Sequence, residues 1–137
     1  MEQALVNQVW QRADSLCEYC RMPQRCDLLT FQIDHVIARK HHGTDDLTNL
    51  ALACFACNNH KGPNIAGVDP DTKEVVRLFH PRQDQWKDHF EWQGAILVGR
   101  TPVGRATIDV LAINLPYRVR LRQMLILEGV FPPLDKS

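Results

Sequence analysis

The sequence predicts an α+β fold stapled by a metal. Three observations carry that expectation: an N-terminal stretch with apolar residues at helical spacing, short segments of alternating apolar residues further on, and two Cys-x-x-Cys pairs far apart in the chain.

Leu5, Val9, Trp10, Ala13 and Leu16 recur at helical spacing, so residues 3–16 read as an amphipathic helix. The first cysteine pair follows in LCEYC. Leu29, Phe31 and Ile33 alternate with Thr30 and Gln32, the pattern of a strand ending at Asp34 and His35. RKHHGTDD is polar and contains a glycine, as a loop does. Leu50 and Leu52 suggest a second strand running directly into the second cysteine pair. NNHKG after it reads as a short helix stopped by Gly62 and Pro63. Further on, residues 74–79 are expected as a strand. Residues 94–113 are expected as a hairpin, with Ile96 and Val98 on one arm, Ile108 and Val110 on the other, and TPVG as the turn. Residues 115–129 read as a helix capped by Asn114, with Pro116 in its first turn, Leu121, Met124 and Leu125 toward the core, and Gly129 as its stop. No linker divides the halves, so residues 1–137 are expected to form one domain: a core at about 17–64 and a β-hairpin-plus-helix extension at about 74–137.

Composition narrows the setting. The chain is 45% hydrophobic and 23% charged, ordinary for a globular protein. Its apolar runs fall well short of the ~18 residues that span a bilayer, so no membrane partner is expected. MEQALVNQVW lacks the basic and apolar regions of a secretory signal. A cytoplasmic location is therefore the expectation, and thiols stay reduced there. Five cysteines are an odd number for a disulfide framework. Zero formal net charge means that any basic surface must be local.

Cys17, Cys20, Cys54 and Cys57 supply four thiolates from two turns, the ligand set of a structural zinc ion. A single pair could serve as a redox dithiol; two pairs favour metal. The 33 residues between the pairs exceed the ~15–20 of a simple ribbon, so something folded must lie between them. Four thiolates leave no open coordination position, and this zinc should do no chemistry. Cys26 is left over as a packed, inert thiol.

The segment between the pairs carries the chemistry. Asp34 offers a hard oxygen suited to Mg²⁺ or Mn²⁺. A histidine side chain titrates near neutrality, so a neutral imidazole at position 35 can take a proton from water. Adjacent strand residues point to opposite faces unless the chain bends between them.

The Asp-His pair, the glycine-containing loop, Asn49-Leu50 and CxxCNxxKG, in that order, resemble the HNH nucleases, also called ββα-metal or His-Me finger nucleases. The likeness is to small standalone bacterial or phage members with two zinc knuckles. The resemblance spans about residues 17–64. It implies that His35 activates water, that Asp34 and Asn58 hold a catalytic Mg²⁺ or Mn²⁺ (Ni²⁺ being a further candidate), and that the Asn49 amide fixes the loop around His35. It also implies that Lys61 meets a phosphate. His60 is a rival ligand to Asn58. Where the family name has a final histidine, this chain has Asn58, whose amide oxygen still suits a hard cation. The family's common proline three residues after the histidine is Ala38 here.

Outside this core, HPRQDQWKDHFEW mixes basic and aromatic residues. Arg82 could grip a phosphate there, or the stretch could pack on the core. Arg118 and Arg122 are four apart and share a helix face, a candidate phosphate contact or a solvated face. The function expected from these readings is a metal-dependent DNA endonuclease with no small-molecule substrate, monomeric or dimeric. The alternative is a non-catalytic, zinc-stabilised nucleic-acid-binding module.

Overall fold

In the computed structural model, which describes residues 1–134, helices alternate with three small antiparallel sheets. Helix α1 (Gln3–Ala13) is shorter than its periodicity suggests. Asp14 and Ser15 take left-handed φ of 55° and 56°, turning the chain into the first cysteine knuckle. Strand β1 (Gln32–His35) pairs with β2 (Leu50–Ala53), with His35 opposite Leu50 and Asp34 opposite Ala51. The expected strand thus starts later, since Leu29 is exposed and only Phe31 is buried before it. All four residues of β2 are buried, which is why that strand reads as apolar without alternation. It runs through Cys54 into α2 (Phe55–Lys61), where Gly62 ends the helix at φ 51°.

The first knuckle is fastened to β2 as if it were a third strand. The Glu18 amide donates to the Leu52 carbonyl and the Leu52 amide donates to the Glu18 carboxylate, each at 2.8 Å. Arg12, at the end of α1, donates to the carbonyls of Leu47 and Leu50. Helix, knuckle and sheet are therefore joined by polar contacts as well as by the apolar face of α1, which buries Val9 and Ala13.

The second half departs from expectation in its hairpin. Strand β3 (Ala66–Val68) pairs with β4 (Val75–Arg77), inside the expected 74–79 segment. After the one-turn helix α3 (Trp86–His89), β5 (Phe90–Gln93) and β6 (Ile96–Gly99) form the hairpin around Gly94. TPVG is not its turn. It opens helix α4 (Pro102–Val110): the Thr101 hydroxyl accepts from the Gly104 amide at 3.0 Å, and Pro102 takes the first helical position. A β-carbon at Gly104 would lie 2.1 Å from the His89 carbonyl oxygen, so only glycine lets α4 pass that close. Ile108 and Val110 thus lie on a helix, not on a return strand.

Helix α5 (Pro116–Leu127) is where expected, but Leu115 takes its N-cap position. Asn114 instead pairs with both backbone groups of Leu97, donating at 2.8 Å and accepting at 3.0 Å. The inward face of α5 is also different: Arg118, Arg122 and Leu125 are buried, while Leu121 and Met124 point outward.

One hydrophobic cluster runs through both halves, from Val9 through Tyr19, Leu52, Phe79, Phe90 and Leu97 to Phe131. Phe79 joins them by meeting Tyr19 and Phe90 edge-on, with ring centres 6.4 and 5.1 Å apart. Its backbone amide donates to the Thr107 hydroxyl at 2.8 Å. Thr107 is fully buried, so Thr107→Val strands the Phe79 N–H without solvent. Such an unsatisfied donor costs about 1–3 kcal/mol. Urea unfolding should register that loss at an unchanged m-value; a change below about 0.3 kcal/mol would remove Thr107 as the link.

Candidate functional site

The four cysteines expected to bind zinc converge. All four Sγ atoms lie within 4.8 Å of one another and are buried, and those of Cys20 and Cys54 are 3.7 Å apart. A tetrahedral zinc with Zn–S near 2.3 Å needs sulfurs about 3.8 Å apart, so the donor set fits zinc in number, softness and spacing. The Cys20 and Cys57 amides point at the Cys17 and Cys54 sulfurs at 3.5 and 3.4 Å, as amides that support thiolates do.

Zinc with four thiolates carries two negative charges, which burial makes costly. Arg118 answers that cost. Its guanidinium donates to Cys57 Sγ at 3.0 Å, approaches Cys54 Sγ at 3.9 Å, and holds the carbonyls of Leu111 and Ala112. Burial works against the Arg118 charge, but the sulfurs of Cys57, Cys20 and Cys54 outweigh it and raise its pKa. Arg122 lies one turn on, 1% exposed, donating to the Ala95 carbonyl and the Asn114 side chain with its guanidinium over the Trp92 ring. Burial lowers its pKa, with the Cys20 sulfur opposing. Neither arginine can meet a phosphate from there. Nothing local in the sequence marks their burial, because their acceptors are cysteine sulfurs, backbone carbonyls and the Asn114 side chain.

The β1–β2 ladder and the Val36 amide, which donates to the Asn49 carbonyl, close the ends of the loop between the strands, and His35 stands at its entrance, with its side chain 18% exposed. His35 Nε2 lies 2.7 Å from Asp45 Oδ1, and Arg39 donates to the same oxygen at 2.9 Å. The hydrogen bonds from His35 and Arg39 hold the Asp45 carboxyl below its ordinary pKa. The sequence reading missed Asp45, since an aspartate in a polar loop looks like ordinary surface. Asn49 supplies the frame. Its side chain accepts from the Ile37 amide at 2.9 Å and donates to the carbonyls of Ile37 and Thr44 at 3.0 and 2.8 Å. Gly43 packs onto this frame; a β-carbon there would sit 1.6 Å from the Ile37 carbonyl oxygen. His41 and His42 are exposed in the same loop.

Asp34 faces the other way. Its carboxylate is 4% exposed and accepts from the Tyr19 hydroxyl at 2.6 Å. Lys61 Nζ lies 3.2 and 3.3 Å from its two oxygens, and reaches the carbonyls of His35 and Val36 at 3.3 and 3.1 Å. Burial pushes the Asp34 pKa up, while Lys61 and Tyr19 pull it down. The ammonium has three donors and four acceptors in reach. Lys61 is thus buried as a strut between α2 and β1 and is not open to a phosphate.

Asn58 lies on the same side of α2, three residues before Lys61, and its amide donates to the Gln32 side chain. Gln32 and Asp34 share a face of β1. The two residues expected to hold a catalytic ion therefore face one interface. The arrangement does not fit a hydrated divalent ion shared by them, because Asp34 is shut from solvent and already neutralised by Lys61. An ion at Asp34 requires Lys61 to withdraw. His60 is exposed, away from this interface. Arg82 is not a free cation either: it pairs with Glu18, which in turn holds Leu52.

Residues 17–64 match the family model described as HNH endonuclease. Comparison with curated proteins and with solved structures finds no match.

The zinc centre generates one test. Partners in contact with metal ligands commonly govern 10–100-fold in affinity, so Arg118→Met should weaken zinc binding by about that factor in a chelator competition. An unchanged zinc affinity would leave Arg118 as a packing residue only.

Proposed function

We propose that residues 17–64 form an HNH domain that hydrolyses phosphodiester bonds in DNA, with His35 as the general base. The observation that carries the reading is the His35–Asp45 pair at 2.7 Å. Asp45 engages Nε2 and fixes the ring. Nδ1, which has no protein partner among the described residues, is left to take a proton from water. The carboxylate also favours the imidazolium formed when the proton arrives. Asp45 is more than half exposed, with its side chain at 54%, so solvent screens that help.

The family match supports a nucleic-acid substrate and a metal requirement. A divalent ion supplies charge neutralisation at the phosphate when bound. The closed Asp34 gives the second reading, a zinc-stabilised nucleic-acid-binding module without catalysis, its one specific support. No helix among the described residues is long and apolar enough to cross a membrane.

Plasmid nicking with Mg²⁺, Mn²⁺ or Ni²⁺, against a chelator control, separates the two readings. His35→Ala should lose about 10²–10⁴-fold in rate with zinc content and melting temperature retained. Asp45→Asn should lose only roughly tenfold, because an exposed pair is weak. Full nicking by His35→Ala would reject His35 as the base, and a wild type inert with every metal would favour the binding module. Asp34→Asn sorts strut from ligand. A strut leaves the Lys61 charge buried and unpaired, costing about 3–5 kcal/mol of stability; an ion ligand loses nicking while stability holds.

A further inference from the structure

Helix α5 is inside out. Its buried face carries Arg118 and Arg122, and its outward face carries Tyr117, Leu121 and Met124 at helical spacing, with Leu127 beside them. Met124 is 60% exposed and Leu127 88% exposed. The apolar surface continues off the helix, because Leu29 and Phe55 line the same shallow depression as Tyr117 and Leu121. These six side chains expose roughly 600 Å², given ~150–250 Å² for a large side chain. That is at the upper end of the patches ordinary monomers leave open, and most of the ~800 Å² that each partner contributes to a standard interface.

We infer that this face is the contact between two copies of the chain, with α5 packing antiparallel on its own copy across a two-fold axis near Met124. The sequence of the stripe is self-complementary in that register. Met124 meets Met124 of the second copy at the axis. Leu121 stands level with Leu127 of the second copy, and Arg120 stands level with Glu128 of the second copy. Two-fold symmetry makes each contact twice. Arg120 and Glu128 are both exposed, and neither makes an ion pair among the described residues. The stripe between them holds no charge, so the pairing leaves no charge buried alone. Shifting the register by four residues sets Arg120 level with Met124 in one direction and beyond the end of the helix in the other.

The inference is independent of the nuclease reading, since it rests on α5 and the knuckle surface. It does bear on that reading: a pair of chains presents two copies of His35, whereas one chain presents a single copy for the two strands of a duplex.

Sedimentation equilibrium of the zinc-loaded full chain tests it. Wild type should sediment as a dimer at micromolar concentration. Met124→Glu places a like-charge pair at the axis and should give a monomer at the same concentration, with zinc content and circular dichroism unchanged. Glu128→Arg should raise the dimer Kd about tenfold through two symmetry-related contacts, and the double change Arg120→Glu with Glu128→Arg should restore it. A monomeric wild type, or a dimer unaffected by Met124→Glu, would overturn the proposal. A dimer broken by Met124→Glu but insensitive to both charge changes would overturn the register.

Discussion

The contact on which the rest depends is that between Arg118 and the cysteine sulfurs. Two knuckles far apart in sequence bring four sulfurs within 4.8 Å, and zinc with four thiolates leaves a buried double negative charge. Arg118 reaches those sulfurs from α5, more than sixty residues later in the chain. The metal centre is therefore not confined to the 17–64 core. It is closed by the second half, which explains why a single hydrophobic cluster serves both. A structural zinc contributes roughly 10–16 kcal/mol in small peptides, the size of an ordinary domain's whole stability. An element that supports its charge is thus tied into the same stability.

The same clamp sets the geometry at His35. The first knuckle is hydrogen-bonded to Leu52 through Glu18, and the second follows directly from β2. With both ends of the intervening loop held, its interior is organised by Asn49 around Ile37 and Thr44, and by Gly43 against Ile37. His35 and Asp34 are neighbours in sequence but reach different surroundings. Strand alternation sends Asp34 into the interface with α2, where Lys61 and Tyr19 hold it, while His35 goes to the loop, where Asp45 holds it. The adjacency that looks like one site in the sequence is resolved into a buried strut and an imidazole paired with a loop carboxylate.

Much of this was legible in the sequence, for definite physical reasons. Cysteine spacing specifies a metal site because the chemistry requires four sulfurs from two tight turns. Helix α1, strand β2 and helix α2 follow from local periodicity and from a glycine stop. The hairpin was misplaced because Thr-Pro-x-Gly suits both a turn and a helix start, and tertiary packing of Gly104 against His89 decided between them. Arg118, Arg122 and Lys61 read as phosphate-facing or solvated surface cations because lone arginines and lysines usually are. Their burial depends on acceptors distant in sequence: cysteine sulfurs, backbone carbonyls and Asp34. Asp45 was invisible for the opposite reason, since nothing local distinguishes it from the neighbouring Asp46.

X-ray absorption at the zinc edge, with metal content measured on the same sample, tests the clamp most directly. The expected result is one zinc per chain with four sulfur neighbours at about 2.3 Å and no nitrogen or oxygen in its shell. A chain without zinc, or a zinc with a mixed shell of sulfur and lighter atoms, would contradict the four-cysteine centre and with it the support that Arg118 and the β1–β2 loop draw from it.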